Sequence, residues 1–201
     1  MLTVGLTGPS GAGKGFVASL FSRFGVPSID TDAIYHNLLI PPSACLDELQ
    51  ERFGAEILYP DGTLNRRALA TLVFSEGHSG ELADLNRITH RHILLKTRDI
   101  LAAYEAQGIP AVLVDAPQLF ESGFHRECGF ILSVLAPFDQ RLSRVMTRDG
   151  LSEERARARL KASHADEFFR EKSDAVIVND GSVETMESEV RRLLTLWGVT
   201  V

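Results

Sequence analysis

Cysteine is scarce in this sequence, long apolar runs are missing, and basic residues do not dominate. The only two cysteines, Cys45 and Cys128, form no CxxC pair and cannot make a disulfide framework, so a reducing cytosol is the expected compartment. No apolar run approaches the ~20 residues that span a bilayer, and the opening Met1-Leu2-Thr3-Val4-Gly5 lacks a charged, then long apolar, secretory signal. A soluble, cytoplasmic protein with no membrane partner is expected. Lys and Arg number 21 against 27 Asp and Glu, a net charge of -6, which argues against a broad nucleic-acid surface. A local basic patch can still serve a small anionic substrate. The chain shows neither a Ser/His/Asp triad nor a Cys/His zinc pattern. His90 and His92 stand two apart on an expected helix and so face different directions, a poor metal pair. No metal-ligating set of side chains is predicted.

What is present reads as an ordinary globular protein: 201 residues, 44% hydrophobic and 24% charged. That length fits one α/β domain with a helical insertion. Short apolar runs alternate with longer helical patterns, as in a parallel sheet with crossover helices. The expected strands are Leu2 to Leu6, Val26 to Ile29, Ala111 to Val114, Phe130 to Leu135 and Ala175 to Val178. Several are continuously apolar, as in strands covered on both faces. The expected core is 1–40, 108–140 and 171–201. The stretch from about 41 to 107 is too long for a βα connection and carries helical spacing in Leu82, Leu85, Ile88 and in Ile93, Leu94, Thr97, Leu101, with a turn at Asp61-Gly62. It reads as an inserted helical subdomain over the sheet, with plain helical decoration as the alternative. Residues 141–170 form a second special segment, with a helix starting at an N-cap, Ser152, and acidic Glu153 and Glu154 after it.

The strongest motif is Gly8-Pro9-Ser10-Gly11-Ala12-Gly13-Lys14-Gly15, between an apolar strand and a helical stretch, Phe16 to Phe24. Its glycines let backbone N–H groups turn inward around phosphate oxygens, and the next helix points its positive end at the same place. Lys14 adds a full charge for the β- and γ-phosphates. The expected nucleotide contacts are Gly11, Ala12, Gly13, Lys14, Gly15 and Phe16. One position departs from the usual motif: Gly15 stands where a Ser or Thr hydroxyl ordinarily ligates Mg²⁺.

Asp30 and Asp32 close the second strand at the carboxyl edge, where open α/β sheets bind ligands. A carboxylate there can orient an acceptor hydroxyl, hold Mg²⁺ or cap the following helix. Asp115 closes the third strand in an hhhhD pattern suited to Mg²⁺. The turn after it, Ala116 to Glu121, is placed to line an acceptor site. The basic run Arg141, Arg144, Arg148, Arg155, Arg157, Arg159 and Lys161 reads as mostly solvated, with one or two arginines able to close on a phosphoryl group.

With these pieces in order, the chain resembles the dephospho-coenzyme A kinases over nearly its whole length. The matching segments are Gly5-Leu6-Thr7-Gly8, Val26 through Asp32, Phe53-Gly54, Asp61 through Arg66, Leu85-Asn86 with His90, Asp115 through Glu121, Gln140-Arg141-Leu142, Arg148-Asp149 and Asn179. The resemblance implies a P-loop NTPase fold: a five-stranded parallel sheet with flanking helices, an inserted helical substrate domain and a lid. It implies ATP and Mg²⁺ as cofactors and transfer of the γ-phosphoryl to the ribose 3′-hydroxyl of dephospho-CoA. No nucleic-acid partner is expected, and the assembly expected is a monomer or weak homo-oligomer. By position, Asp32 matches the catalytic base, Lys14 the phosphate lysine, Arg148 the lid arginine and Asn179 a residue near adenine. His90, Leu119, Phe120 and Glu121 match the acceptor site. The chain departs from the family pattern at Gly15, His36, Arg91, Gln118 and Ser163. Another small-molecule kinase, or a nucleotide-binding protein without catalysis, stays open at this stage.

Overall fold

Apolar runs too short for helices become the strands, and the longer periodic stretches become the helices. The computed structural model describes residues 1–74 and 79–200. The first half of the chain forms β1 (Leu2–Thr7), α1 (Lys14–Arg23), β2 (Ser28–Asp30), α2 (Thr31–Leu38), α3 (Ala44–Phe53), α4 (Arg66–Phe74) and α5 (Ser79–Ala106). The second half forms β3 (Ala111–Asp115), β4 (Phe130–Leu135), α6 (Phe138–Asp149), α7 (Glu153–Lys161), α8 (Asp166–Lys172), β5 (Ala175–Val178) and α9 (Val183–Leu196).

The strands make one parallel sheet in the order β2-β3-β1-β4-β5. β1 is central, and its neighbours β3 and β4 lie on opposite sides, so the loop leaving β1 emerges where the strand order reverses. That is where open α/β sheets hold ligands. Two expected strands, β4 and β5, have the predicted bounds. The second starts later than expected, at Ser28, because Gly25 (φ 76) turns the chain and Val26 N–H bonds back to the Phe21 carbonyl. Pro27 has no N–H to give a ladder.

The chain divides into two compact units, Met1–Asp30 with Ala103–Val201, and Thr31–Ala102. The boundary lies earlier than the expected 41, so α2 and Asp32 belong to the second unit. In the first unit, Val17, Phe21, Val190 and Leu194 from α1 and α9 pack with the strand residues Val4, Leu6, Leu113 and Val134, all at most 1% exposed. The segment after β4 keeps a small core of its own, Leu142 and Val145 from α6 against Ala156 and Leu160 from α7. Ser152 caps α7 as predicted, accepting from the Arg155 N–H.

The second unit has a separate core around Leu49, Phe53, Ile57, Leu69 and Ile88. The predicted Asp61-Gly62 turn forms: Asp61 accepts from the Thr63 N–H at 3.0 Å, and Gly62 has φ 82. Asn65 accepts from the Ala68 N–H at the start of α4. The periodic residues from Leu82 to Leu101 lie on α5. Arg91 on α5, a departure from the family pattern, has a local partner: it and His92 both donate to Glu48 on α3.

Candidate active site

The loop between β1 and α1 turns on three glycines with positive φ, Gly8 (139), Gly11 (78) and Gly13 (95). Each is also pressed by protein. A β-carbon would stand 2.2 Å from the Val134 carbonyl oxygen at Gly8, 2.7 Å from the Arg141 carbonyl oxygen at Gly11, and 2.1 Å from the Asn179 amide nitrogen at Gly13. Only glycine meets both conditions, positive φ and no room. Ala12 N–H bonds to the Pro9 carbonyl across the loop at 3.2 Å. Gly13 then leads into α1, with its carbonyl accepting from Phe16 and Val17. Lys14 is the first residue of the helix, and its Nζ donates to the Gly8 carbonyl at 3.1 Å, so the ammonium lies along the loop.

Gly15 is exposed, and nothing lies within 4 Å of the place its β-carbon would take. The position lacks an oxygen for a cation but has room for one.

Two side chains grip the loop from the strand and helix beneath it. Arg144 on α6 donates from Nη1 to the carbonyls of Gly11 (3.2 Å) and Ala12 (3.3 Å), while Nη2 donates to Gln140 (3.0 Å). Asn179, just past β5 and 8% exposed, donates to the same Ala12 carbonyl at 2.9 Å. The amide nitrogen expected near adenine is thus engaged with the loop. Sequence reasoning missed Arg144, which it placed in a mostly solvated run. The signal was available: Arg141, Arg144 and Arg148 are spaced three and four apart and share one helical face. Arg141 is the buried member of the run, 8% exposed, with Nη1 3.4 Å from Asp166 and its guanidinium near the Phe138 ring. Arg148, Arg155, Arg157, Arg159 and Lys161 are exposed as expected.

At the carboxyl edge, Asp115 of β3 stands in register with Asp30 of β2 on one side and Leu6 of β1 on the other. Two acidic residues therefore end neighbouring strands, Asp115 on the one beside β1. Arg148, near the end of α6, donates from Nε and Nη2 to the two oxygens of Asp149 at 2.8 and 2.9 Å, and Arg159 adds a third bond to Asp149 at 2.8 Å. These guanidinium groups hold the Asp149 carboxyl below its ordinary range, Arg148 most of all.

The turn after β3 separates into inward and outward residues. Leu119 is fully buried, with its side chain over Gly5, so that side chain packs into the core. Phe120 is partly exposed and packs edge-on against Phe168 (5.2 Å) and near His125 (5.4 Å). Exposed Glu121 accepts from His164 Nε2 at 2.9 Å, and the His164 ring stacks on Phe168 at 4.0 Å.

In the second unit, Asp32 is exposed in the first turn of α2. His90 and His92 lie on α5, and His92 makes the polar contact with Glu48 described above. His36, in the last turn of α2, is 3.5 Å from Arg66 through Nδ1. Among the described residues no group of three or more His, Cys, Asp or Glu side chains is arranged to hold a metal ion. No helix among them is long and apolar enough to cross a membrane.

A parallel sheet of this order, with a glycine-rich loop and a helix-initiating lysine after its central strand, defines a P-loop NTPase fold of the kinase type. The chain belongs to the dephospho-CoA kinase family, whose model matches residues 2–185. It is 40% identical over 194 residues to dephospho-CoA kinase of Corynebacterium efficiens, covering 96% of each chain, and 37% identical to that of Anaeromyxobacter dehalogenans, covering 96% and 91%. Among solved structures, dephospho-CoA kinase from Campylobacter jejuni superposes with TM-score 0.68 at 25% identity, covering 96% of this chain and 95% of that one. Shikimate kinase from Acinetobacter baumannii, at TM-score 0.51 and 17% identity, covers 98% of this chain and 93% of its own and shares the fold alone.

Proposed function

We propose that this protein is an ATP-dependent kinase that phosphorylates the ribose 3′-hydroxyl of dephospho-CoA to give CoA, acting as a soluble cytoplasmic enzyme on a small-molecule substrate. The observation that carries the reading is the family match across residues 2–185, laid over a loop whose three crowded glycines and Lys14 suit a polyphosphate. Within the expected Gly11 to Phe16 stretch, the backbone N–H groups of Gly11, Gly13, Lys14 and Gly15 and the Lys14 ammonium bind the β- and γ-phosphates, helped by the N-terminal end of α1, while the Ala12 and Phe16 N–H groups hold the loop's own carbonyls. Asp32 orients the acceptor hydroxyl and takes its proton, and Arg148 meets the charge that builds on the phosphoryl oxygens. His90, Phe120 and Glu121 contribute to acceptor binding.

The residues fit a magnesium ion held mainly by phosphate. Asp30 and Asp115 stand side by side on neighbouring strands, and Mg²⁺ bound to nucleotides commonly takes one or two carboxylates, phosphate oxygens and water. Gly15 has no side-chain oxygen to offer it. Bound there, Mg²⁺ would supply charge neutralisation at the phosphates.

The test is purified protein with Mg·ATP and dephospho-CoA, followed by mass spectrometry for CoA, with Lys14→Ala alongside. CoA formation that Lys14→Ala abolishes supports the reading. ATP consumed with another acceptor, such as a nucleoside, but never with dephospho-CoA overturns the substrate assignment.

A further inference from the structure

Four hydrogen bonds define how the crest of the phosphate loop is held, and three of them reach it from elements far away in sequence. The trans peptide plane sets C=O and N–H pointing opposite ways. The Ala12 carbonyl is gripped by both Arg144 Nη1 (3.3 Å) and Asn179 Nδ2 (2.9 Å), so the Gly13 N–H of that same peptide is turned the other way, into the loop. Arg144 also holds the Gly11 carbonyl at 3.2 Å, which turns the Ala12 N–H inward to the Pro9 carbonyl. Glycine permits either orientation of such a peptide at little steric cost. A flipped Ala12–Gly13 peptide would present a carbonyl oxygen to an incoming phosphate, where the bound geometry needs a donor.

We propose that Arg144 and Asn179 are positioning residues that lock the Ala12–Gly13 peptide with its N–H facing the nucleotide's phosphates. The inference rests on the reading of Gly8 to Gly15 as a phosphate site. It differs from an adenine contact by Asn179, because the grip acts on the phosphate end of the ligand. Gln140, one turn before Arg144, holds the guanidinium from its other side at 3.0 Å and keeps the fork aimed at the loop.

The experiment compares inorganic tripolyphosphate with adenosine as calorimetric ligands of wild type, Arg144→Met, Asn179→Ala, the double variant and Arg155→Met. Arg144→Met keeps the length of the stem and removes every donor, and Arg155→Met controls for the loss of one exposed charge. Hydrogen bonds from charged donors are typically worth about a tenfold change or more in affinity. Arg144→Met should weaken tripolyphosphate by about that factor and Asn179→Ala, which removes a neutral donor, by about two- to tenfold, with adenosine affinity and Tm nearly unchanged and Arg155→Met close to wild type. Because both side chains grip one carbonyl, the double variant should lose less than the product of the single losses. Wild-type tripolyphosphate affinity in Arg144→Met overturns the proposal, and this variant alone decides it if Asn179→Ala does not fold. A loss confined to adenosine, losses that multiply fully, or an equal loss in Arg155→Met also overturn it. Failure of the wild type to bind tripolyphosphate would instead sink the phosphate-site reading on which it stands.

Discussion

Asn179 lies so close beneath Gly13 that a β-carbon at position 13 would stand 2.1 Å from its amide nitrogen, although 166 residues separate the two in sequence. Gly13 also has φ 95, so alanine there faces strain and collision together. Gly13→Ala should lower stability by about 1–3 kcal/mol and weaken ATP binding sharply, since Asn179 and the loop must both shift. Thermal unfolding and calorimetric titration check this. Wild-type ATP affinity in this variant would mean that the loop adapts without harm.

Gly15 is the opposite case. Its β-carbon position is open and its φ is ordinary, so Gly15→Ser should fold normally and gain up to about 0.5 kcal/mol from better helix propensity. The added hydroxyl offers Mg²⁺ a direct ligand, and the Mg²⁺ concentration for half-maximal rate should fall. An unchanged Mg²⁺ dependence in a folded variant means the ligand is replaced elsewhere.

Asp30 and Asp32 are two residues apart but differently placed, one ending β2 in register with Asp115, the other in the first turn of α2. Asp32→Asn should cut turnover by about 10²–10⁴-fold while leaving ATP affinity nearly intact. Asp30→Asn should cost less, and its defect should ease at high Mg²⁺. Steady-state kinetics across Mg²⁺ concentrations decide the matter, and near-normal turnover in Asp32→Asn would remove it from the base role.

Arg148 and Arg157 are both exposed yet differently engaged. Arg148 lies against Asp149, while Arg157 pairs with Glu153 at 2.8 Å and covers Phe138 at 5.5 Å. Arg148→Ala should lower kcat more than it raises the KM for ATP. Arg157→Ala should leave turnover alone and cost no more than about 1 kcal/mol of stability. Equal kinetic losses in the two variants would contradict the assignment.

The Glu48 contact gives a pH prediction for the second unit. The hydrogen bond from His92, helped by the nearby Arg91, holds the Glu48 carboxyl below its ordinary range. A lowered folded-state value means the stabilisation is present above the unfolded carboxylate value of about 4.3 and is lost as pH falls through the folded value. The pair is partly exposed, so Glu48→Gln should cost about 0.5–1 kcal/mol at pH 7, or about 1–4 °C in Tm, with the gap closing below about pH 4. A gap that stays constant from pH 7 to pH 3 would show that the charge on Glu48 contributes nothing.

Alternation of apolar strands and periodic helices, with Gly8 to Lys14 at the first junction, was enough to read the parallel sheet and the phosphate loop. The signals of these features are local: turn-forming glycines, apolar strand runs and a helix start are each read from residues close together in the chain. Ser152 as a cap and Asp61-Gly62 as a turn were legible for the same reason. Residues whose meaning depends on distant partners were not. Arg144 looked like one member of a solvated basic run until it met carbonyls 132 and 133 residues away, and the packing of Leu119 over Gly5 was equally out of sight. Arg91 looked like an unexplained departure until Glu48 stood opposite it. Local backbone chemistry, written into the sequence by itself, determined the glycine-rich turn between β1 and α1. The tertiary structure alone decided which side chains hold that loop in shape, because a hydrogen bond between residues more than a hundred positions apart exists only after the sheet has brought their elements together.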